Sequence, residues 1–246
     1  MTAPERRVCA VIGAGDGLGA AIARAFAREG LTVCLTRRPR HAEALEKLAE
    51  GMRAEGGDAR AFPLDARKEA DVAAFIDKIE QNIGTLEVVV FNIGANVRFP
   101  VVETTTQVYS KVWEMACLAG FLAAREAARV MTPRGRGAIL FTGATASVRG
   151  GAGFSAFAGA KHGLRALAQS LARELGPKGI HVAHVVIDGA IDGAFIRSLM
   201  PDAAEKLQRE EILVPDEIAR NYVWLWRQGR SAWTFEMDLR PWKETW

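Results

Sequence analysis

The sequence predicts an α/β fold in which helices cover both faces of a parallel β-sheet. Short apolar segments alternate with longer amphipathic segments along the chain, which is the order expected of repeated β-α-β units. A length of 246 residues suits one domain of this kind with a sizeable core. We therefore predict a single domain over residues 1–246, with a doubly wound sheet of about seven strands.

The individual elements follow from the apolar patterning. Strands are predicted at residues 8–12, 32–36, 59–63, 86–91, 138–142, 181–186 and 233–239. Helices are predicted at residues 18–29, 42–55, 69–82, 107–131 and 156–175, and a last helix begins near Pro215. The segment 188–214 has no strand pattern, so it is predicted to be a lid or substrate loop within the domain.

Composition excludes several classes of function. The net charge of +3 is too small to indicate a nucleic acid or membrane partner, and no apolar run reaches membrane-spanning length. Cys9, Cys34 and Cys117 are far apart and lack metal-ligand spacing, so we expect buried free thiols and no metal site. The short polar N-terminus has no signal-peptide pattern, and a cytoplasmic location is predicted.

A glycine-rich segment follows the first predicted strand and leads into an alanine-rich helix. Residues without side chains let a backbone turn sharply and approach a pyrophosphate, while the helix N-terminus supplies free N–H groups and a positive dipole end. Glycines alone would indicate only a tight turn, but this position between strand and helix favours a Rossmann-type dinucleotide site. The predicted cofactor contacts here are Gly13, Gly15, Asp16, Gly17, Leu18 and Gly19.

The end of the second strand bears on the choice of dinucleotide. A carboxylate at this place would accept hydrogen bonds from the ribose 2′-hydroxyl of NAD, but the chain has Arg37 and Arg38 there. Guanidiniums bind phosphate through paired charged hydrogen bonds, so NADP is favoured over NAD. A solvated basic turn is the alternative, and the negative charge of Asp16 weighs against NADP.

Together these motifs resemble the short-chain dehydrogenase/reductase family over nearly the whole chain. The spacing of Gly13, Gly17 and Gly19 matches the family's glycine loop. Further matches, in the same order as in the family, are Leu64-Asp65, the segment 92–95, and the stretches 171–175 and 179–182. The resemblance implies that Asp65 contacts adenine, and that Asn92, Gly94, Gly189 and Ile191 also line the cofactor.

The resemblance also implies four catalytic positions, and three of them hold unexpected residues. The family uses a tyrosine as general acid/base, a serine that holds the substrate oxygen, a supporting asparagine, and a lysine that binds ribose. These positions fall on Phe157, Ala144, Cys117 and Lys161, so only the lysine is present. Phenylalanine cannot donate a proton and alanine cannot hydrogen-bond an oxyanion. Lys161 is implied to bind ribose, although a lysine on such a helix often reaches outward to water.

Nearby polar residues offer no evident replacement. The two tyrosines, Tyr109 and Tyr222, lie away from the family's catalytic positions, and Phe154 occupies the alternative position used by enoyl reductases. The hydroxyls closest in sequence are those of Thr145, Ser147 and Ser155, which are interpreted as turn or cap residues. Asp188 is interpreted as a loop carboxylate, although it would be able to reach a substrate. His162, His181 and His184 are interpreted as surface or structural residues.

Two functions therefore remain open on the sequence. The first is an NADP-dependent oxidoreductase with non-standard proton delivery, from water or Lys161, acting on a small molecule such as an apolar carbonyl or enone. The second is a catalytically silent NADP-binding protein that serves as a structural or regulatory partner. The family's usual assembly through two long helices implies a homodimer or homotetramer through residues 107–131 and 156–175.

Overall fold

A computed structural model describes residues 6–244, and it contains one seven-stranded parallel sheet. The strand order is β3-β2-β1-β4-β5-β6-β7, and helices lie on both faces, so the predicted Rossmann fold is confirmed. The strands are β1 (Arg7–Ile12), β2 (Thr32–Arg37), β3 (Ala59–Pro63), β4 (Thr85–Phe91), β5 (Gly137–Thr142), β6 (Ile180–Ile187) and β7 (Glu236–Leu239). The N-terminal segment used to predict location lies largely outside the described residues.

Nine helices are described within residues 6–244. They are α1 (Leu18–Arg28), α2 (Ala42–Ala54), α3 (Glu69–Asn82), α4 (Thr106–Trp113), α5 (Ala119–Met131), α6 (Ser155–Leu175), α7 (Ala194–Leu199), α8 (Ala203–Gln208) and α9 (Pro215–Arg227). Helices α1, α2 and α9 bury one face of the sheet, and α3, α5 and α6 bury the other. No helix among these residues is long and apolar enough to cross a membrane.

Two predicted elements differ from the structure. The helix predicted at residues 107–131 is interrupted by a π-helical turn, Glu114–Leu118, which joins α4 to α5 and carries Cys117. Strand β7 begins at Glu236, not at residue 233, because residues 233 and 234 make contacts with side chains outside the sheet ladder. The Thr234 N–H donates to the side-chain oxygen of Gln228 at 2.7 Å, and the Trp233 ring stacks on the His181 ring with 4.8 Å between ring centres.

The turn between α6 and β6 lies at the amino end of β6, against the turn that precedes β5. Gly179 has φ +81°, and a Cβ there would overlap the carbonyl oxygen of Gly135. Gly176, at the start of the same turn, has φ −53° and open space around it.

We expect Gly179→Ala to lower the free energy of unfolding by about 2 kcal/mol, because the left-handed backbone and the overlap both oppose a side chain. Gly176→Ala is the matched control and should change stability by less than about 0.5 kcal/mol. Urea unfolding of both variants checks this, and equal effects would contradict it.

Candidate functional site

The glycine loop lies at the carboxyl ends of β1 and β4, where the strand order reverses direction. Gly13 has φ +99°, and a Cβ there would come within 2.9 Å of the Asn92 carbonyl oxygen. A Cβ on Gly19 would lie 2.5 Å from the Gly13 carbonyl oxygen. The Asn92 amide also donates to that oxygen at 3.1 Å. Close backbone packing therefore requires glycine at both positions and joins the loop to the end of β4.

The other two glycines of the loop face open space. A Cβ on Gly15 or Gly17 would meet no atom within 4 Å. The first turn of α1 begins directly after them with Leu18. The N–H groups of Ala20 and Ala21 donate to carbonyls of Gly15 and Gly17, which leaves those of Leu18 and Gly19 without a backbone acceptor among the described residues. The loop therefore leaves room for a pyrophosphate beside free N–H donors, and the residues present fit a dinucleotide.

Positive charge is concentrated at the end of β2. Arg37 pairs with Asp16 of the glycine loop at 3.4 Å, while Arg38 forms no ion pair within residues 6–244, although the Asp65 charge is near enough to act on it. Burial, followed by the charges of Arg40 and Arg67, lowers the pKa of Arg38 from its ordinary value. These guanidiniums repel one another, so an added dianion would relieve the repulsion.

Asp65 lies beside this basic group. Arg67 donates to its two carboxylate oxygens at 2.9 and 2.6 Å, and these hydrogen bonds lower the pKa of Asp65 despite an opposing effect of burial. The carboxylate is therefore ionised and already engaged. Contact between Asp65 and adenine stays a prediction, as does contact through Gly94, which is exposed on the β4–α4 loop.

Lys161 is buried, with a relative exposure of 2 %, and does not reach outward to water. Its ammonium donates to the carbonyl oxygens of Ile93 at 3.1 Å and Thr142 at 2.9 Å, which follow β4 and end β5. Burial lowers the pKa of Lys161 to about 8, Cys117 opposes this shift, and no carboxylate within residues 6–244 pairs with the ammonium. An amine with this pKa is largely protonated at neutral pH and can release a proton readily.

The residues at the other three implied catalytic positions lie together above Lys161. Phe157, Cys117 and Ala144 belong to one apolar cluster, which we call the active-site cluster. The Phe157 ring centre is 6.0 Å from Nζ of Lys161. The remaining members are Ala95, Val97, Val108, Val112, Ala116, Ala146, Phe154, Ala156, Ala158 and Ala160. Cys117 contributes no charge, because burial raises the pKa of its thiol even though Lys161 opposes the shift.

Of the three hydroxyls near these positions, those of Ser147 and Thr145 are engaged in the protein, while Ser155 is exposed at the start of α6. Ser147 accepts a hydrogen bond from the Ala144 N–H at 3.1 Å, and Thr145 donates to Asp188 at 2.6 Å. Tyr222 is fully buried and shares a hydrogen bond of 2.7 Å with the Thr142 hydroxyl, which faces away from Lys161's own helix towards α9. Tyr109 is half exposed on α4.

Asp188 has a larger role than a loop carboxylate. Its side chain is 7 % exposed, and besides Thr145 it contacts Arg149 at 3.5 Å and Arg240 at 3.7 Å. It therefore connects the β5–α6 loop, the end of β6 and the segment after β7. No pattern in the sequence indicates this role, because Asp188 is separated by at least 39 residues from each of its three partners.

The segment 188–214 contains two short helices, and both of its ends are held in place by contacts with other residues. Gly189 lies against Pro241, and Ile191 forms a parallel bridge with Leu213. The bridge is held by hydrogen bonds of 2.8 Å on each side. Helix α7 above it exposes Phe195 and Leu199 by 57 % and 61 %. That this segment is a lid, and that Gly189 and Ile191 contact cofactor, stay predictions.

Comparison with known proteins identifies the family. The family model described as short chain dehydrogenase matches residues 7–203. This chain belongs to the short-chain dehydrogenase/reductase family. Its members are NAD(P)-dependent oxidoreductases, and no group of metal-ligating side chains is present among residues 6–244.

Individual relatives agree with this assignment. An uncharacterised oxidoreductase of Bacillus subtilis, YxjF, is 34% identical over 202 residues, covering 82% of this chain and 77% of YxjF. A short-chain dehydrogenase from Rhodopseudomonas palustris is 51% identical, with a TM-score of 0.83, covering 97% of this chain and 100% of that one. A metagenomic short-chain oxidoreductase in complex with NADP is 27% identical, with a TM-score of 0.81, covering 97% and 98% of the two chains.

The lowered pKa of Lys161 predicts how stability depends on pH. The pKa is about 8 in the folded chain and ordinarily 10.5, so the unfolded chain binds more protons between these values. The free energy of unfolding, relative to Lys161→Met, should therefore rise by about 3 kcal/mol from pH 8 to pH 10.5 and stay level below pH 8. Urea unfolding across this range measures the difference.

Lys178→Met removes an exposed ammonium outside the site and controls for the substitution itself. If the difference in free energy of unfolding between the wild type and Lys161→Met stayed constant up to pH 10.5, this result would contradict the buried state of Lys161 without an ionic partner.

Proposed function

We propose that this chain is an NADP-dependent reductase in which Lys161 itself delivers the proton to the substrate. The observation that carries the proposal is a single buried ammonium, without a carboxylate partner, beneath an apolar cluster that includes all three replaced catalytic positions. The family assignment supports an oxidoreductase, and the non-standard proton donor is the new element.

The basic group at the end of β2 supports NADP as cofactor. Arg38 lies among Arg37, Arg40 and Arg67 and lacks the carboxylate partner that Arg37 has in Asp16. A 2′-phosphate would bind Arg38 by charged hydrogen bonds, whereas the ribose hydroxyl of NAD would leave the repulsion in place. The metagenomic relative was solved with NADP, which agrees with this choice.

Bound NADPH supplies hydride, and the chain supplies the proton and the surroundings. Two of the three N–H groups of the Lys161 ammonium donate hydrogen bonds to the carbonyls of Ile93 and Thr142. The third N–H is free to point towards the cofactor ribose or the substrate. Transfer of that proton to a substrate oxygen or carbon leaves Lys161 as a neutral amine. A proton taken up from solvent water then restores the ammonium. Burial stabilises the neutral amine relative to the ammonium and thereby assists the transfer.

The active-site cluster supports an apolar substrate, a carbonyl compound or an enone. Phe157, Phe154 and Val148 supply apolar surface at the site, and Val148 is 43 % exposed. An enone carries its own electron sink, so hydride addition depends less on an oxyanion donor at Ala144.

Self-association also stays a prediction. Helices α4, α5 and α6 pack together, and their outer surface exposes Tyr109, Trp113, Leu118 and Phe121 by 37–46 %. A homodimer or homotetramer through this surface would cover these side chains.

Arg38→Ala should weaken NADPH binding by about tenfold to a hundredfold and leave NADH binding nearly unchanged, because only NADPH has the 2′-phosphate. Parallel titrations read by cofactor fluorescence measure both affinities. Arg173→Ala, an exposed arginine at the far end of α6, is the control. Equal affinity of the wild type for NADPH and NADH would contradict the assignment.

Reduction of enones or carbonyls should slow about tenfold per pH unit above pH 8, because the Lys161 ammonium is lost there, and Lys161→Met should be inactive while still folded. Initial rates of NADPH oxidation between pH 6 and 10 measure this. A rate that keeps rising above pH 8 would contradict the proposal that Lys161 is the proton donor. No turnover with any substrate, despite NADPH binding, would instead favour the silent partner function.

Phe157→Tyr combined with Ala144→Ser should raise carbonyl reduction by a factor on the order of 10²–10⁴, since the pair restores a proton donor and an oxyanion donor above Lys161. Steady-state rates with apolar ketones test this, with the exposed Phe121→Tyr as control. An unchanged rate would show that ketones do not reach this position.

A further inference from the structure

Two arginines belong to the loops that flank the active-site cluster. Arg98 belongs to the loop between β4 and α4, and Arg149 belongs to the loop between β5 and α6. The Phe99 N–H donates to the Gly153 carbonyl at 2.9 Å, so the two loops are joined next to Arg98 and Phe154. Arg98 therefore lies at the rim of the active-site cluster, of which Phe154 is a member.

Arg98 is held in place without an ionic partner. Its aliphatic stem lies over Gly153, where a Cβ would come within 2.9 Å of Cγ, and its guanidinium lies 5.7 Å from the Phe154 ring centre. Within residues 6–244 no carboxylate pairs with it, whereas Arg197 and Arg165 each form two hydrogen bonds to a carboxylate. The contacts with Gly153 and Phe154 fix the charge at the rim and leave its hydrogen bonds available.

Arg149 is only weakly paired. Its guanidinium is 3.5 Å from Asp188, whose carboxylate also accepts from Thr145 at 2.6 Å and faces Arg240 at 3.7 Å. The Arg149 side chain is 48 % exposed. Arg149 is therefore directed towards Asp188 at the end of β6, whereas Arg98 has no carboxylate partner within residues 6–244.

The exposed surface of these two loops includes apolar side chains. Phe99, next to Arg98 in the chain, is 40 % exposed, and Val148, next to Arg149, is 43 % exposed. Apolar side chains and an unpaired guanidinium on adjoining loops suit a ligand with an apolar body and a negatively charged end.

We propose that the substrate carries an anionic group, a carboxylate or a phosphate ester, that binds Arg98 while its apolar body contacts the active-site cluster. The proposal rests on the proposed function, because it names the substrate class of the same site. Arg98 acts as a binding residue and takes no part in proton transfer.

The test is a titration with oxo acids of increasing chain length and with their neutral methyl esters, followed by isothermal calorimetry. Alkyl phosphates form a third arm and distinguish a phosphate from a carboxylate. Each series is run with the full chain alone and with saturating NADPH. The variants are Arg98→Gln, which keeps most of the aliphatic stem, and Arg173→Gln as the matched control.

We expect at least one acid or alkyl phosphate to bind wild type about tenfold or more tightly than its neutral counterpart. This preference should disappear in Arg98→Gln and persist in Arg173→Gln. Equal binding of acids and esters, a preference that survives in Arg98→Gln, or no binding of any probe would each overturn the proposal. A charge preference without NADPH turnover would instead retain the anion site and reject the reductase function.

Discussion

The site depends on one buried charge held by two backbone carbonyls. The ammonium of Lys161 joins α6 to the ends of β4 and β5 through Ile93 and Thr142. An unpaired buried ammonium is costly, so both carbonyls must be accurately placed for the lysine to remain inside. The alignment of the central strands, the docking of α6 and the floor of the active-site cluster are therefore linked at a single nitrogen atom.

The glycine loop was predictable because backbone geometry restricts residue type. Gly13 and Gly19 have no room for a side chain, and this requirement is visible as a glycine spacing. The sheet was predictable for a similar reason, since strands covered on both faces must be apolar throughout. Lys161 was identified by its position in a family motif, and its burial in the structure explains why the position matters.

Other features depend on contacts between distant residues and left no pattern in the sequence. The acceptors of Lys161 are main-chain carbonyls, which any residue would provide. Asp188 meets Thr145, Arg149 and Arg240 only after three loops come together. The predicted start of β7 was three residues too early. Thr234 hydrogen-bonds Gln228 and Trp233 stacks on His181, and an apolar pattern in the sequence does not indicate such contacts.

The bridge between Ile191 and Leu213 has a consequence for the entropy of the segment between them. It ties together both ends of the stretch that carries α7 and α8, so this loop is already closed in the folded chain. Most of the conformational freedom lost in closing the loop is thus lost during folding. Were this segment to act as the predicted lid, ligand binding would have to order less of the chain and would carry a smaller entropic penalty.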